Sequence, residues 1–194
     1  MGIPARALDP RHLNRGFTFR MIDRFNICVA FVLDHETEYN KDGSVKVEHD
    51  PRDPGGVTKY GIDQRDHPNV NVPALTKAQA IEIYRNEEWA KCRCANLKQP
   101  WDLAVFDTAV NIGVNHAARL LQRSVGAGID GFVGPVTIAK TNAASVDDLF
   151  DFVSLREAYY RSLGPKWQGA FLAGALNRLT DLRKAVQPDK EVIV

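Results

Sequence analysis

Glu36, Asp53 and Thr58 are the residues of this 194-residue chain whose types and spacing suit acid–base chemistry. Placed at about 100° per residue, Ile22, Phe25, Val29, Val32 and Leu33 fall in one helical sector, and Glu36 lies in the middle of it. A carboxylate on a buried face is costly unless it is paired or protonated. The negative end of the helix macrodipole adds to that cost in a last turn. Such a setting suits a general acid, which must hold its proton until the substrate arrives. Spacing leaves a second arrangement open, in which Glu36 has left the helix and is solvated beside Asp34 and Glu38. Asp53 and Thr58 are equally open: Asp-Pro-Gly-Gly is turn chemistry, and Thr suits a strand.

The elements that would position these residues can be read in order. A helix is expected over 19–35, with Glu36 in its final turn. Asp42-Gly43 is a hairpin signal, and Val45 and Val47 alternate with Lys46 and Glu48, which predicts a small β-lobe. Residues 49–56 form a loop with Gly55-Gly56 at its end, and 57–62 can return as a strand. Thr76 and Gln79 have capping-box spacing for a helix to about residue 92. A largely buried helix should begin at Pro100 or Trp101 and stop near Gly113. Asn115 is a cap candidate for the next helix, a short one follows from Val136, and Ser145 opens a long one that Gly164-Pro165 ends. A last helix is expected over 170–186. The pattern is mainly α with one early β-excursion (α+β), and a cleft is expected between that lobe and the helical body.

Composition narrows the function. Charge is balanced at net +1 and 44% of residues are hydrophobic, which gives no support to a nucleic-acid-binding or disordered chain. Residues 1–18 read as a basic arm, 19–98 and 99–186 as two regions packed into one globule, and 187–194 as a tail. The longest apolar run, 27–33, is too short to span a bilayer, so no stable membrane insertion is expected. No signal-peptide pattern is visible, so synthesis in the cytoplasm is expected. Cys28, Cys92 and Cys94 fit a reducing compartment and read as structural. His35, His49 and His67 with Asp50 and Asp53 contain metal-ligand atoms, but no pair has helical i,i+4 spacing, so neither a metal nor another cofactor is expected.

The stretch Asp50-Pro51-Arg52-Asp53-Pro54-Gly55-Gly56-Val57-Thr58-Lys59-Tyr60-Gly61-Ile62, following His35-Glu36-Thr37-Glu38-Tyr39, resembles the N-terminal signature of the glycoside hydrolase family 108 muramidases. Phe106-Asp107-Thr108-Ala109-Val110-Asn111-Ile112-Gly113 and Asp130-Gly131-Phe132-Val133-Gly134-Pro135 resemble the C-terminal peptidoglycan-binding region of that family. Arg156, Tyr159 and Tyr160 continue the likeness, as does Gly174-Ala175-Leu176-Asn177-Arg178. Thr37-Glu38 stand where the family usually has two glycines, and Ala175 where it commonly has Trp.

The resemblance implies a lysozyme-like fold and cleavage of the β-1,4 bond between N-acetylmuramic acid and N-acetylglucosamine, with Glu36 as the catalytic acid. It would place Asp53 and Thr58 beside Glu36, with Asp50 the substitute second carboxylate. From the residues themselves, Tyr60 is a candidate to line the cleft for substrate or to pack within its strand, and Asn111, beside Gly113 at a helix end, to hydrogen-bond a sugar amide or to cap the chain. Peptidoglycan is the implied partner, acting alone as a monomer is the expected state, and a phage endolysin or a delivered bacterial effector is the expected setting. A wall-binding protein that no longer cleaves and a lytic transglycosylase are the alternatives.

Overall fold

The computed structural model of the chain describes residues 23–49 and 56–187; Asp50, Asp53, the 1–18 arm and most of the tail lie outside the described residues. Helix α1 spans Arg24–Glu36, and the Asp23 carboxylate caps it by accepting from the Phe25 amide at 3.1 Å. Phe25, Cys28, Val29, Val32 and Leu33 are buried along one side, and Glu36 closes the last turn half-buried. The apolar period therefore places Glu36 on the helix, not in solvent beyond it.

A three-stranded antiparallel sheet follows: β1 (Glu48–His49), β2 (Val57–Lys59) and β3 (Ile62–Asp63), in that order. Thr58 sits opposite Glu48 on one side and Asp63 on the other. Two strand expectations are corrected. Val45 and Val47 form no ladder; Val45 makes an isolated bridge to Tyr39, around a turn in which Asp42 accepts from the Ser44 amide at 2.9 Å. The 57–62 strand breaks at Tyr60 and Gly61, whose φ values of 55° and 75° are those of a type I′ two-residue hairpin turn.

The capping box at Thr76 and Gln79 opens α2 (Lys77–Tyr84), which runs directly into a π-helical turn, Arg85–Trp89. Helix α3 (Trp101–Ile112) is the centre of the molecule and packs on α1, α4 and α6. All its residues through Ala109 are buried, which is why its sequence is apolar nearly all round. Helix α4 (Val114–Ser124) follows at once from Gly113, so Asn115 lies inside its first turn and is not the cap. Helices α5 (Pro135–Ala143) and α6 (Val146–Ser162, capped by Ser145) complete the body with α7 (Pro165–Ala185). Helix α7 begins earlier than residue 170 because Pro165, besides ending α6, takes a first-turn position where no amide hydrogen is needed.

Phe25, Tyr84, Trp89 and Phe106 meet largely edge to face and tie α1, the π-turn and α3 together. The core continues without a break from Phe25 to Val186, across both regions of the chain. Cys28, Cys92 and Cys94 are buried free thiols within it, and burial pushes the Cys28 thiol up to about 12. Among the described residues no helix is long and apolar enough to cross a membrane.

The π-turn has a cost that can be measured. Oε2 of Glu88 is buried without a hydrogen-bond partner among the described residues, and burial pushes this carboxyl up to about 7. A carboxyl that binds its proton more tightly when folded contributes most at low pH, and that contribution is lost as pH rises from the unfolded value near 4.5 through about 7. Glu88→Gln should therefore match the wild type near pH 4.5 and exceed it at pH 8 by on the order of 1 kcal/mol, or about 2–4 °C in Tm. Thermal melts at the two pH values check this; an unchanged difference between them rejects it.

Candidate active site

Glu36 stands where two hollows meet. One lies toward the sheet and is walled by Thr58, Lys59, Tyr60 and Gly61. The other, a cavity of about 540 Å³, lies toward α7 and is walled by Asn111, Trp167, Phe171 and Arg178. His35, Glu36 and Glu38 belong to both, so the cleft passes across the end of α1 between the sheet and the helical body.

The two carboxylate oxygens of Glu36 have different surroundings. Oε1 accepts from Nη1 of Arg178, reaching across from α7. Oε2 faces the hairpin tip: a Cβ placed on Gly61 would lie 2.7 Å from it and 2.6 Å from the Tyr84 hydroxyl. Arginine has no acceptor, so a proton on this carboxyl belongs on Oε2. Tyr84 holds the tip in place, donating to the Tyr60 carbonyl at 2.8 Å, and its phenol is raised by burial and then by the charges of Glu36 and Glu88.

Arg178 is itself held. Its Nε donates to Oδ1 of Asp107 at 2.8 Å, while Oδ2 of Asp107 accepts from Nη1 of Arg156 at 2.5 Å. Asp107 and Arg156 are both 0% exposed. Burial by itself would push the Asp107 carboxyl up, but the two guanidiniums hold it below the usual carboxylate range. Arg156 goes on to donate through Nε to the Tyr160 hydroxyl at 2.7 Å, and that hydroxyl donates to Oδ1 of Asn111. A continuous chain of polar contacts thus runs from Glu36 through the body to Asn111, back at the cleft wall.

Of the residues singled out from sequence, the cleft brings together Glu36, Thr58, Tyr60 and Asn111; Asp53 and Asp50 lie outside the described residues. Arg178, Asp107, Arg156, Tyr160, Gly61 and Tyr84 had no role assigned from spacing. The first five fall inside the quoted motif stretches, which was the available signal. Glu38 and Glu48 also wall the sheet side and share Lys46, at 2.7 and 3.3 Å. Among the described residues no cluster of His, Cys, Asp and Glu has the arrangement to hold a metal ion.

The hairpin tip gives a direct test. Gly61→Ala combines a strained φ of +75° with two sub-contact approaches, whereas Gly43→Ala has a similar φ of +82° and open space. Gly43→Ala should lose about 1 kcal/mol from backbone strain alone, and Gly61→Ala about 2–4 kcal/mol together with most activity. Equal losses in denaturant titrations of the two variants would show that the tip does not press on Glu36.

The family model described as Glycosyl hydrolase 108 matches residues 29–113, a segment that holds most of α1, the sheet and α3. It ends before α4, so the region resembling a peptidoglycan-binding domain lies largely beyond it. Among solved structures, the chain is similar to SagA of Brucella abortus, at 28% identity over 84% of this chain and 93% of that chain, with a TM-score of 0.72. No curated protein sequence matches. The fold is mainly α and lysozyme-like, and the likeness to family 108 supports a glycoside hydrolase, with a peptidoglycan hydrolase the activity it suggests.

Proposed function

We propose, from the family 108 likeness of residues 29–113, that the chain cleaves the β-1,4 bond between N-acetylmuramic acid and N-acetylglucosamine in peptidoglycan, with Glu36 as general acid. The observation that carries the reading is the position of Glu36 at the junction of the two hollows, with Oε1 tied to Arg178 and Oε2 turned to the hairpin tip. A glycan laid along the cleft would cross Glu36 at one glycosidic oxygen. Protonation of that oxygen by Oε2 releases the leaving sugar, and the oxocarbenium-like centre is taken by water.

The second group is assigned to Asp53, which follows β1 and precedes β2 in the chain, with Asp50 as its substitute. Thr58, on β2 and walling the same hollow as Glu36, is assigned to orient the water, and Tyr60 and Asn111 to bind sugar. A second carboxylate that activates water instead of attacking the sugar gives inversion of the anomeric configuration, the outcome assigned by similarity to phage-type lysozymes. The enzyme would act as a monomer and reach the wall after release or delivery from the cytoplasm, as an endolysin or effector does.

Mass spectrometry and NMR of purified peptidoglycan digests test the reaction. Reducing muropeptides with inverted configuration are expected. Anhydro sugars would convert the reading to a lytic transglycosylase, which needs only Glu36, and intact but bound glycan would leave a wall-binding protein. Loss of cleavage in Asp53→Asn but not Asp50→Asn is the expected assignment of the second carboxylate; the reverse would transfer it to Asp50.

A further inference from the structure

The geometry points to a subsite for a neutral N-acetylhexosamine on the α7 side of Glu36, built from the rings of Trp167 and Phe171 and the side-chain amide of Asn111. The inference rests on the glycan-cleaving reading above and names which sugar chemistry one half of the cleft takes.

Trp167, Phe171 and Ala175 follow one another at i, i+4 and i+8 on α7, and Gly174 and Arg178 lie beside them, so one stripe of the helix faces the cavity. At a rise of about 1.5 Å per residue, Phe171 lies roughly 10 Å along the helix from Arg178. That separation puts the aromatic pair beside a sugar other than the one that receives the proton of Glu36. Gly174 and Ala175 leave the space between them open.

Phe171 is 60% exposed, and its described ring contact is Trp167, at 5.8 Å. Trp167 is rigidly backed: it stacks on Tyr160 at 5.6 Å and 14°, and Tyr160 is fixed by Arg156. The result is an apolar surface in a polar cleft, already organised before any ligand arrives.

The orientation of Asn111 follows from the same network. The Tyr160 hydroxyl accepts from Nε of Arg156, so its own proton must go to its other partner, and Asn111 must present Oδ1 to it. The Nδ2 group of Asn111 is left at the cleft wall with its two hydrogens and no partner among the described residues. It can donate to an acetamide carbonyl or a ring hydroxyl.

Charge selects among sugars. Arg178, the arginine that walls the cavity, is engaged by Glu36 and Asp107, and His35 stands against Asp181 at 3.5 Å. Glu36 and Glu38 wall the same cavity. A neutral ring with an acetamide fits that balance better than one bearing a carboxylate, so N-acetylglucosamine is the expected occupant.

Tryptophan emission tests this, because Trp89 and Trp101 are buried while Trp167 is half-exposed at the cleft. The full chain carrying Glu36→Gln is titrated with the tetrasaccharide of alternating N-acetylglucosamine and N-acetylmuramic acid, and with chitotetraose, by calorimetry and by fluorescence. The expected result is binding with a blue shift that Trp167→Phe abolishes, weakened about ten-fold by Phe171→Ala, with chitotetraose bound at least as well. Binding by calorimetry with no emission change and no effect of Phe171→Ala would overturn the subsite and leave the hydrolase reading intact. Absence of binding by both glycans, with no cleavage by the wild type, would overturn both.

Discussion

Glu36→Gln is expected to lower peptidoglycan cleavage by about a hundred- to ten-thousand-fold while leaving the melting temperature close to wild type. The substitution keeps a carbonyl oxygen that can accept from Arg178, so the contact across the cleft survives in shape. What is lost is the second oxygen, toward Gly61 and Tyr84, as a group able to deliver a proton to the leaving sugar. Glycan binding should persist, since no other cleft residue is altered. Turnover and melting curves of the two proteins, measured on the same preparation of wall, separate the possibilities. A variant that still cleaves at more than a tenth of the wild-type rate would remove Glu36 from the chemistry, and one that melts far lower would make it a structural residue.

The contrast with Arg178 sharpens this. Arg178→Lys keeps a positive charge but cannot hold Asp107 through Nε and Glu36 through Nη1 at once. Activity should fall about ten- to a hundred-fold, through kcat more than KM, because the acid is no longer held in one orientation. A change confined to KM would instead make Arg178 a glycan contact.

Why Glu36 was legible and Arg178 was not is a matter of range. The burial of Glu36 follows from apolar residues within four turns of it, so the helical period was enough to place it on the inward side. Its partner is 142 residues away in the chain, and the only sequence sign of it was membership of a quoted motif. The Tyr60-Gly61 turn was missed for a different reason. Tyr is a strand residue by propensity, and only the packing of Gly61 against Glu36 and Tyr84 makes the left-handed turn worth its strain. The late start read for α7 had the largest consequence: it left Trp167 outside the helix and hid its i,i+4 relation to Phe171. Ala175 then stood as a missing aromatic, although the aromatic surface of the cavity lies one and two turns earlier. The shared core of the two regions follows from α3, whose apolar residues on every side could only be satisfied by helices from both.

Asp107→Asn should be among the most destabilising single substitutions in the molecule. Asp107 is 0% exposed and lies between two guanidiniums, one of them fully buried and the other nearly so. Neutralising it keeps the volume but leaves Arg156 and Arg178 close together with no shared counter-charge, which is costly because neither can give up a proton. A loss of about 3–5 kcal/mol follows, or about 6–20 °C in Tm for a chain of this size. The cost belongs to the uncompensated charges and not to the missing contact, so removing a charge should return part of it. Asp107→Asn combined with Arg156→Met is expected to be less destabilised than the sum of the two single changes by at least about 1 kcal/mol. Denaturant titrations of the four proteins decide it. Additive losses would mean that the two arginines do not act on Asp107 together, and the link from Glu36 through the body to Asn111 would then be a row of neighbours without energetic coupling.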